Sequence, residues 1–298
     1  MAELGRSALT GTPLDQLADA AVAGVAEGLG ADRVGLLEPG GDDGRSLVCR
    51  SSVGWPELEM RPVDLDSDSQ VAQTFRTQEP VVVDDFANEK RFPASRHLVE
   101  LGLASGAAAP VRGDDRPVGV LVAHSREPRD FGLDDVVFLR AVANVIAVVT
   151  ARERAEERRR QSEESLSFLA EAGHILAETL DYDTTLANLA RLVVPRLADW
   201  FIVDLAEDDG TMRRVVVAAA EDEKQLVLEE LSRSYPPAAG SPQPAALALE
   251  RGGTVHFPDF TPESLRGTTR DERHFELMTT LDPRSAVAVP LVARGRTL

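Results

Sequence analysis

Five histidines, one cysteine and several paired acids are the residues through which this chain could do chemistry. Cys49 lies in a strand-like stretch with no His–Asp pair near it in sequence, so it reads as a small core hydrophobe rather than a nucleophile. His97, His124, His174, His256 and His274 are dispersed, with no close pair at metal-ligand spacing. No catalytic residue and no metal site is assigned. Gly40-Gly41-Asp42-Asp43-Gly44 lacks the following helix and lysine that would make it a phosphate loop. Asp84-Asp85 and Asp134-Asp135 fall at element ends, where turn and cap roles account for them. A lone histidine can still ligate haem iron from one side. His97, in a helix before Ser105, and His124, at a strand end, are the two candidates.

Composition narrows the classes further. A length of 298 residues suits two domains of ordinary size. A net charge of −18 argues against nucleic acid and against anionic membrane surfaces as partners. A single cysteine excludes an internal disulfide and fits a reducing cytoplasm. The first residues carry no signal-peptide pattern, and the apolar run Ala141 to Ala151 is short of the roughly 20 residues that span a bilayer. A cytoplasmic protein without a membrane segment is expected.

The elements that must position these residues follow from periodicity and turn signals. Leu14 to Leu29 has helical apolar spacing and stops at Gly30. Strands are expected at 33–38, 46–53, 80–84, 107–112 and 118–124, with short helices at 67–77 and 96–101. Phe131 to Asp135 opens a long helix whose first-turn acids suit the helix dipole. Short loops between neighbouring strands imply antiparallel pairing and an α+β class.

The second half repeats this order. Ala31-Asp32 recurs as Ala198-Asp199, Asp85-Phe86 as Asp259-Phe260, and Ser105 with Pro110 as Ser285 with Pro290. The offset grows along the chain, as insertions between elements would make it; one falls near the Pro-rich stretch 235–244. The second copy is expected to stop at the equivalent of Val118, without its last strand and helix, leaving an exposed sheet edge. A helix spanning 133–180 connects the copies. Its residues Phe138, Val142, Val145 and Val149 form a coiled-coil-like seam, then comes a charged stretch, and apolar spacing resumes at Leu166, Leu169, Leu176 and Leu180. Two readings stay open: a solvated joining helix, or a parallel stalk that makes the chain a homodimer.

Arg91-Phe92, Leu101-Gly102, Ser105, Pro110, Gly119-Val120-Leu121, Phe131, Asp134-Asp135, Phe138-Leu139 and Ala143-Asn144 together resemble a GAF domain, the small-molecule-sensing module of bacterial signalling proteins. The resemblance covers residues 12–151. Residues 166–298, with Pro195 to Trp200 and Arg284 to Pro290, resemble a second, C-terminally incomplete GAF-like domain. It implies a six-stranded antiparallel sheet flanked by helices. It also implies a ligand pocket whose wall would include Cys49, Phe86, Arg91, Phe92, Arg96, His97 and Ser105. Arg91 and Arg96 would suit a small anion, or pair with Asp84, Asp85 and Glu89. The Asn-Lys-Phe-Asp-Glu-like motif of cyclic-nucleotide versions is missing, and bilin-binding versions carry their cysteine on another element, so the ligand and any cofactor are unknown. Residues 167–180 resemble a histidine-kinase phosphoacceptor helix in their first half. Ile175 and Leu176 stand where an acid is usual, which makes His174 an ordinary helix residue.

The function these readings imply is regulatory. A ligand at 12–151 would bias the helix at 133–180 and so reach an output domain outside this chain. That domain would be a histidine kinase of actinobacterial type or a sporulation-type serine/threonine phosphatase. The alternative is a ligand-free dimerisation scaffold. No enzyme is expected within the chain itself.

Overall fold

The computed structural model describes residues 2–41, 44–56, 61–113, 116–178, 181–207, 211–238, 240–293 and 296–297. The chain forms two compact units, Met1–Ser162 and Glu163–Leu298.

In the first unit, α1 (Ala2–Leu9) and α2 (Leu14–Leu29) precede β1 (Arg33–Gly40) and β2 (Ser46–Val53). Then come β3 (Val63–Asp64), α3 (Gln70–Thr77), β4 (Val81–Val83), a 3-10 turn at Pro93–Arg96 and α4 (His97–Glu100). β5 (Ser105–Val111), β6 (Gly119–Ser125) and the start of α5 (Leu133–Glu178) complete it. The α2 helix buries Leu14, Leu17, Ala21, Val22 and Val25 along one stripe and ends where Gly30 takes the left-handed conformation, φ 59°. Ser69 caps α3 by accepting the Ala72 N–H.

The strands form one six-stranded sheet in the order β3-β2-β1-β6-β5-β4, with every pairing antiparallel. β6 is central, and all seven of its residues are buried. It begins at Gly119 because a Cβ there would sit 2.2 Å from the Leu37 carbonyl oxygen. One sheet face carries the main core, where Leu36, Ala107, Ala109 and Leu121 meet α2 and α5. The other face carries two smaller clusters under α3 and α4, built around Val122 and around Phe86.

The stalk seam read from sequence needs correction. Val142 and Val149 are buried in the main core, and Phe138 and Val145 pack against it. A helix covering its own sheet has the same three-and-four spacing as a coiled-coil seam, so periodicity alone could not separate them.

The second unit contains α6 (Tyr182–Val193), β7 (Trp200–Ala206), β8 (Met212–Ala219), α7 (Asp222–Ser234) and α8 (Pro244–Arg251). They are followed by β9 (Val255–Phe257), α9 (Pro262–Gly267), α10 (Glu272–Leu281), β10 (Ala286–Ala288), β11 (Val292–Ala293) and β12 (Arg296–Thr297). Its described strands lie in three separate pairs, β7-β8, β9-β10 and β11-β12. Leu228, Leu231, Leu277 and Leu281 form its core. Among the described residues, no helix is long and apolar enough to cross a membrane.

Candidate functional site

His124 lies near the end of the central strand β6, on the sheet face under α4, paired with Arg33 on β1 and Gly106 on β5. Its ring meets Trp55 edge-on and Phe86 at a tilt, each with centroids 5.7 Å apart. Backbone geometry makes room for this cluster. A Cβ on Gly106 would lie 2.5 Å from His124 Cδ2 and 3.1 Å from Phe86 Cζ, so only glycine admits both rings. Gly54, at φ 76° and with a would-be Cβ 2.1 Å from the Asp32 carbonyl oxygen, ends β2 and sets Trp55 against the niche. Gln70, at the start of α3, is fully buried and donates from Nε2 to the carbonyls of Val81 (2.9 Å) and Gly106 (3.0 Å). The Arg33 guanidinium stacks over Trp55 at 4.9 Å.

The electrostatics are those of a dry, partly cationic niche. Burial, then the nearby His97 and Arg33, push the His124 pKa down to about 3. At neutral pH the imidazole is therefore uncharged and offers one N–H donor and one lone-pair acceptor. Neither ring nitrogen has a hydrogen-bond partner, nor has Gln70 Oε1. A buried polar group left unsatisfied costs roughly 1–3 kcal/mol.

The residues singled out from sequence divide around this niche. Phe86 and Phe92 are buried with Val83, Leu98 and Leu103 in the cluster beneath α4. His97 opens α4 and is exposed, close enough to His124 to act on its charge. Arg91 is exposed and bound to Glu89 (2.5 Å) and to the Val82 carbonyl (2.9 Å), so its charge is already compensated. The Arg96 side chain lies outside the described residues. Ser105 is buried, donates to the Glu127 carbonyl (2.8 Å) and accepts the Arg129 N–H (3.3 Å), which pins the end of β5 to the following loop. Cys49 is apart from the others: with Asp19, Arg50 and Ser51 it lines a shallow depression, its thiol donates to the Ser51 carbonyl, and burial raises its pKa.

Haem does not fit at His124, because both ring nitrogens are enclosed and the ring faces Trp55 and Phe86 rather than an open iron position. Among the described residues, no three of His, Cys, Asp or Glu gather as a metal site. Sequence reasoning missed Trp55 and Gln70. The available signals were Gly54 before Trp55 and the Ser69 cap that fixes Gln70 as the first residue of a helix.

Residues 13–149 match the family profile of the GAF domain. No curated protein matches the chain significantly. The GAF domains of phosphoenolpyruvate-protein phosphotransferases from Acinetobacter and from Coxiella burnetii are each 18% identical, covering 52% of this chain and 93% of their own, with TM-scores of 0.45 and 0.46. A bacteriophytochrome from the photosynthetic bacterium R. palustris is 15% identical over 98% of this chain and 60% of its own length, with a TM-score of 0.55, a likeness of fold. With the six-stranded antiparallel sheet and its flanking helices in place, residues 13–149 of this chain are a GAF domain.

Proposed function

We propose that the first unit is the small-molecule sensor of a signalling protein and that His124 is its recognition group. The observation that carries this is the neutral imidazole, buried between Trp55 and Phe86, with both nitrogens unsatisfied. A ligand group that donates to or accepts from one of these nitrogens would relieve part of a cost that the free protein bears. The aromatic walls favour a flat, uncharged molecule, and the pairing of Arg91 with Glu89 weakens the case for a small anion. Trp55, half-buried against the His124 ring, is the side chain that would move to admit it.

The reading continues into α5. This helix is tied to the sensor at Glu153, which accepts the Leu14 N–H at the start of α2 (2.8 Å), and at Phe138, which fills the space over Gly28. A shift at the sheet can therefore reach it, provided the ligand prefers one state. On the outer side of α5, exposed Val148, Ala155, Ser162, Leu169 and Leu176 recur every seventh residue. This outward row is the seam we assign to a parallel homodimer. The chain itself is read as non-catalytic and cytoplasmic, passing its signal to an output domain of histidine-kinase or serine/threonine-phosphatase type.

The test is a thermal-shift screen of the full chain with cyclic nucleotides, haem and small flat heterocycles, run in parallel on His124→Phe. A compound that raises the melting temperature of the native chain and not of the variant supports the reading. Compounds that stabilise both equally place the site elsewhere. No stabilisation by any probe leaves the scaffold alternative as the better account.

A further inference from the structure

Gln70 adjoins the His124 niche through Gly106 and is held at both its backbone and its side chain. The Ser69 cap makes it the first residue of α3. Its backbone N–H donates to Ser95 Oγ (3.0 Å), and its backbone carbonyl accepts the Thr74 hydroxyl (2.9 Å). The side-chain amide donates from Nε2 to the carbonyls of Val81 and Gly106, which commits both of its N–H groups. Turning the amide over would set Oε1 against those two carbonyl oxygens, so the hydrogen bonds fix which end is which. Oε1 is left facing away from both carbonyls, buried and without a donor.

Gly106 joins the two groups. Its carbonyl oxygen holds Gln70, while the space its missing Cβ leaves is taken by the His124 and Phe86 rings. Gln70 is 0% exposed and His124 2% exposed, so water does not stand in for their partners from outside. Around Gly106 there is thus a fixed acceptor and an imidazole that, when uncharged, offers one donor and one acceptor. Acceptors outnumber donors. A carboxylate, an ether or an N-alkylated ring brings further lone pairs and leaves Gln70 Oε1 unpaired. A ligand N–H satisfies it. Sites built to bond such a group reject the analogue lacking it far more strongly than pocket shape alone can, because their own buried polar atom is then orphaned.

We propose that Gln70 sets ligand specificity at this site through Oε1, and that the ligand is a planar, uncharged cyclic amide or related heterocycle whose ring N–H donates to it. This rests on the reading of His124 as the recognition group. It adds a requirement: His124 alone would take a donor or an acceptor, whereas Gln70 Oε1 takes a donor only. The ring carbonyl of a cyclic amide is in turn an acceptor of the kind that the His124 N–H lacks.

The test uses 2-pyridone and its N-methyl derivative, which share a flat uncharged ring and a carbonyl and differ in the single N–H. Each is titrated at millimolar concentration into the full chain, native and Gln70→Met, while the nitrogen-15 resonances of the His124 ring are followed. The expected result is that 2-pyridone shifts those resonances and binds the native chain at least about tenfold more tightly than the N-methyl compound, as one buried acceptor left unpaired requires. In Gln70→Met the two should bind within about twofold of each other. If Gln70→Met does not fold, Gln70→Asn, which keeps the amide but withdraws it by one methylene, takes its place. Equal binding of both probes by the native chain overturns the role of Gln70 and leaves that of His124 standing. A preference for 2-pyridone that survives in the variant does the same, since the N–H is then read elsewhere or the methyl is merely too large. No shift from either probe overturns the cyclic-amide assignment, and the wider thermal-shift screen with His124→Phe decides separately whether His124 recognises a ligand.

Discussion

The imidazole of His124 dominates the residue scale because it carries a cost with no return in the free protein. Replacing it by phenylalanine keeps a planar ring and removes both unsatisfied nitrogens. His124→Phe should therefore raise stability by about 1 kcal/mol, measured by urea denaturation without ligand. The pH dependence has a definite sign. Between pH 6.5, the ordinary imidazole value, and about 3, the unfolded chain binds a proton that the folded chain refuses. Stability therefore falls as pH drops through that window, by up to about 1.4 kcal/mol per pH unit, and His124→Phe should flatten the slope. His274, buried and also held below its usual pKa, adds a slope of the same sign from the second unit, so the comparison must be native against variant. Gly106→Ala should cost about 2 kcal/mol by driving a methyl into the His124 ring, and clearly less in a His124→Ala background. Equal costs in both backgrounds would mean the ring is not where the clash lies. His124 was visible in the sequence only as a lone histidine. Its cage was not, because Trp55, Gln70 and Phe86 are brought together by strand pairing across the sheet and not by spacing.

At the scale of elements, most of the first unit was legible. Leu14–Leu29 has the expected bounds, and the hairpin after Ser105 differs by only a residue or two. Turn residues and alternation carry that information locally. The short β3 and the α1 helix were not found, since a two-residue strand has no periodicity and α1 precedes the repeated pattern. The α5 helix was found at its length but misread on its faces, because Val142 and Val149 serve the core while Val148, Leu169 and Leu176 face outward. That difference is testable. Leu169→Glu with Leu176→Glu should turn a dimer into a monomer in sedimentation experiments with no loss of sensor-unit stability, whereas Val142→Glu should unfold the first unit. A monomeric native chain at micromolar concentration would remove the stalk from the account.

For the whole molecule, the recurrence of Ser105 to Pro110 as Ser285 to Pro290 reads as a duplicated order of elements. The additional helix α7 explains why the offset grows before the Pro-rich stretch at 235–244. The open sheet centre sets an expectation for the native chain: backbone amides at Val287–Leu291 should exchange much faster than those at Ala107–Val111, which sit inside a closed sheet. Similar protection at both places would contradict the open edge. The central claim is narrower, that the sensor unit holds a neutral imidazole in reserve for a ligand. Nitrogen-15 NMR of the histidine side chains across pH 3 to 8 tests it most directly. The account predicts a His124 ring that stays neutral, as a single tautomer, down to at least pH 4. A His124 that titrates near 6.5 would mean that the niche is open to water and that the recognition group lies elsewhere.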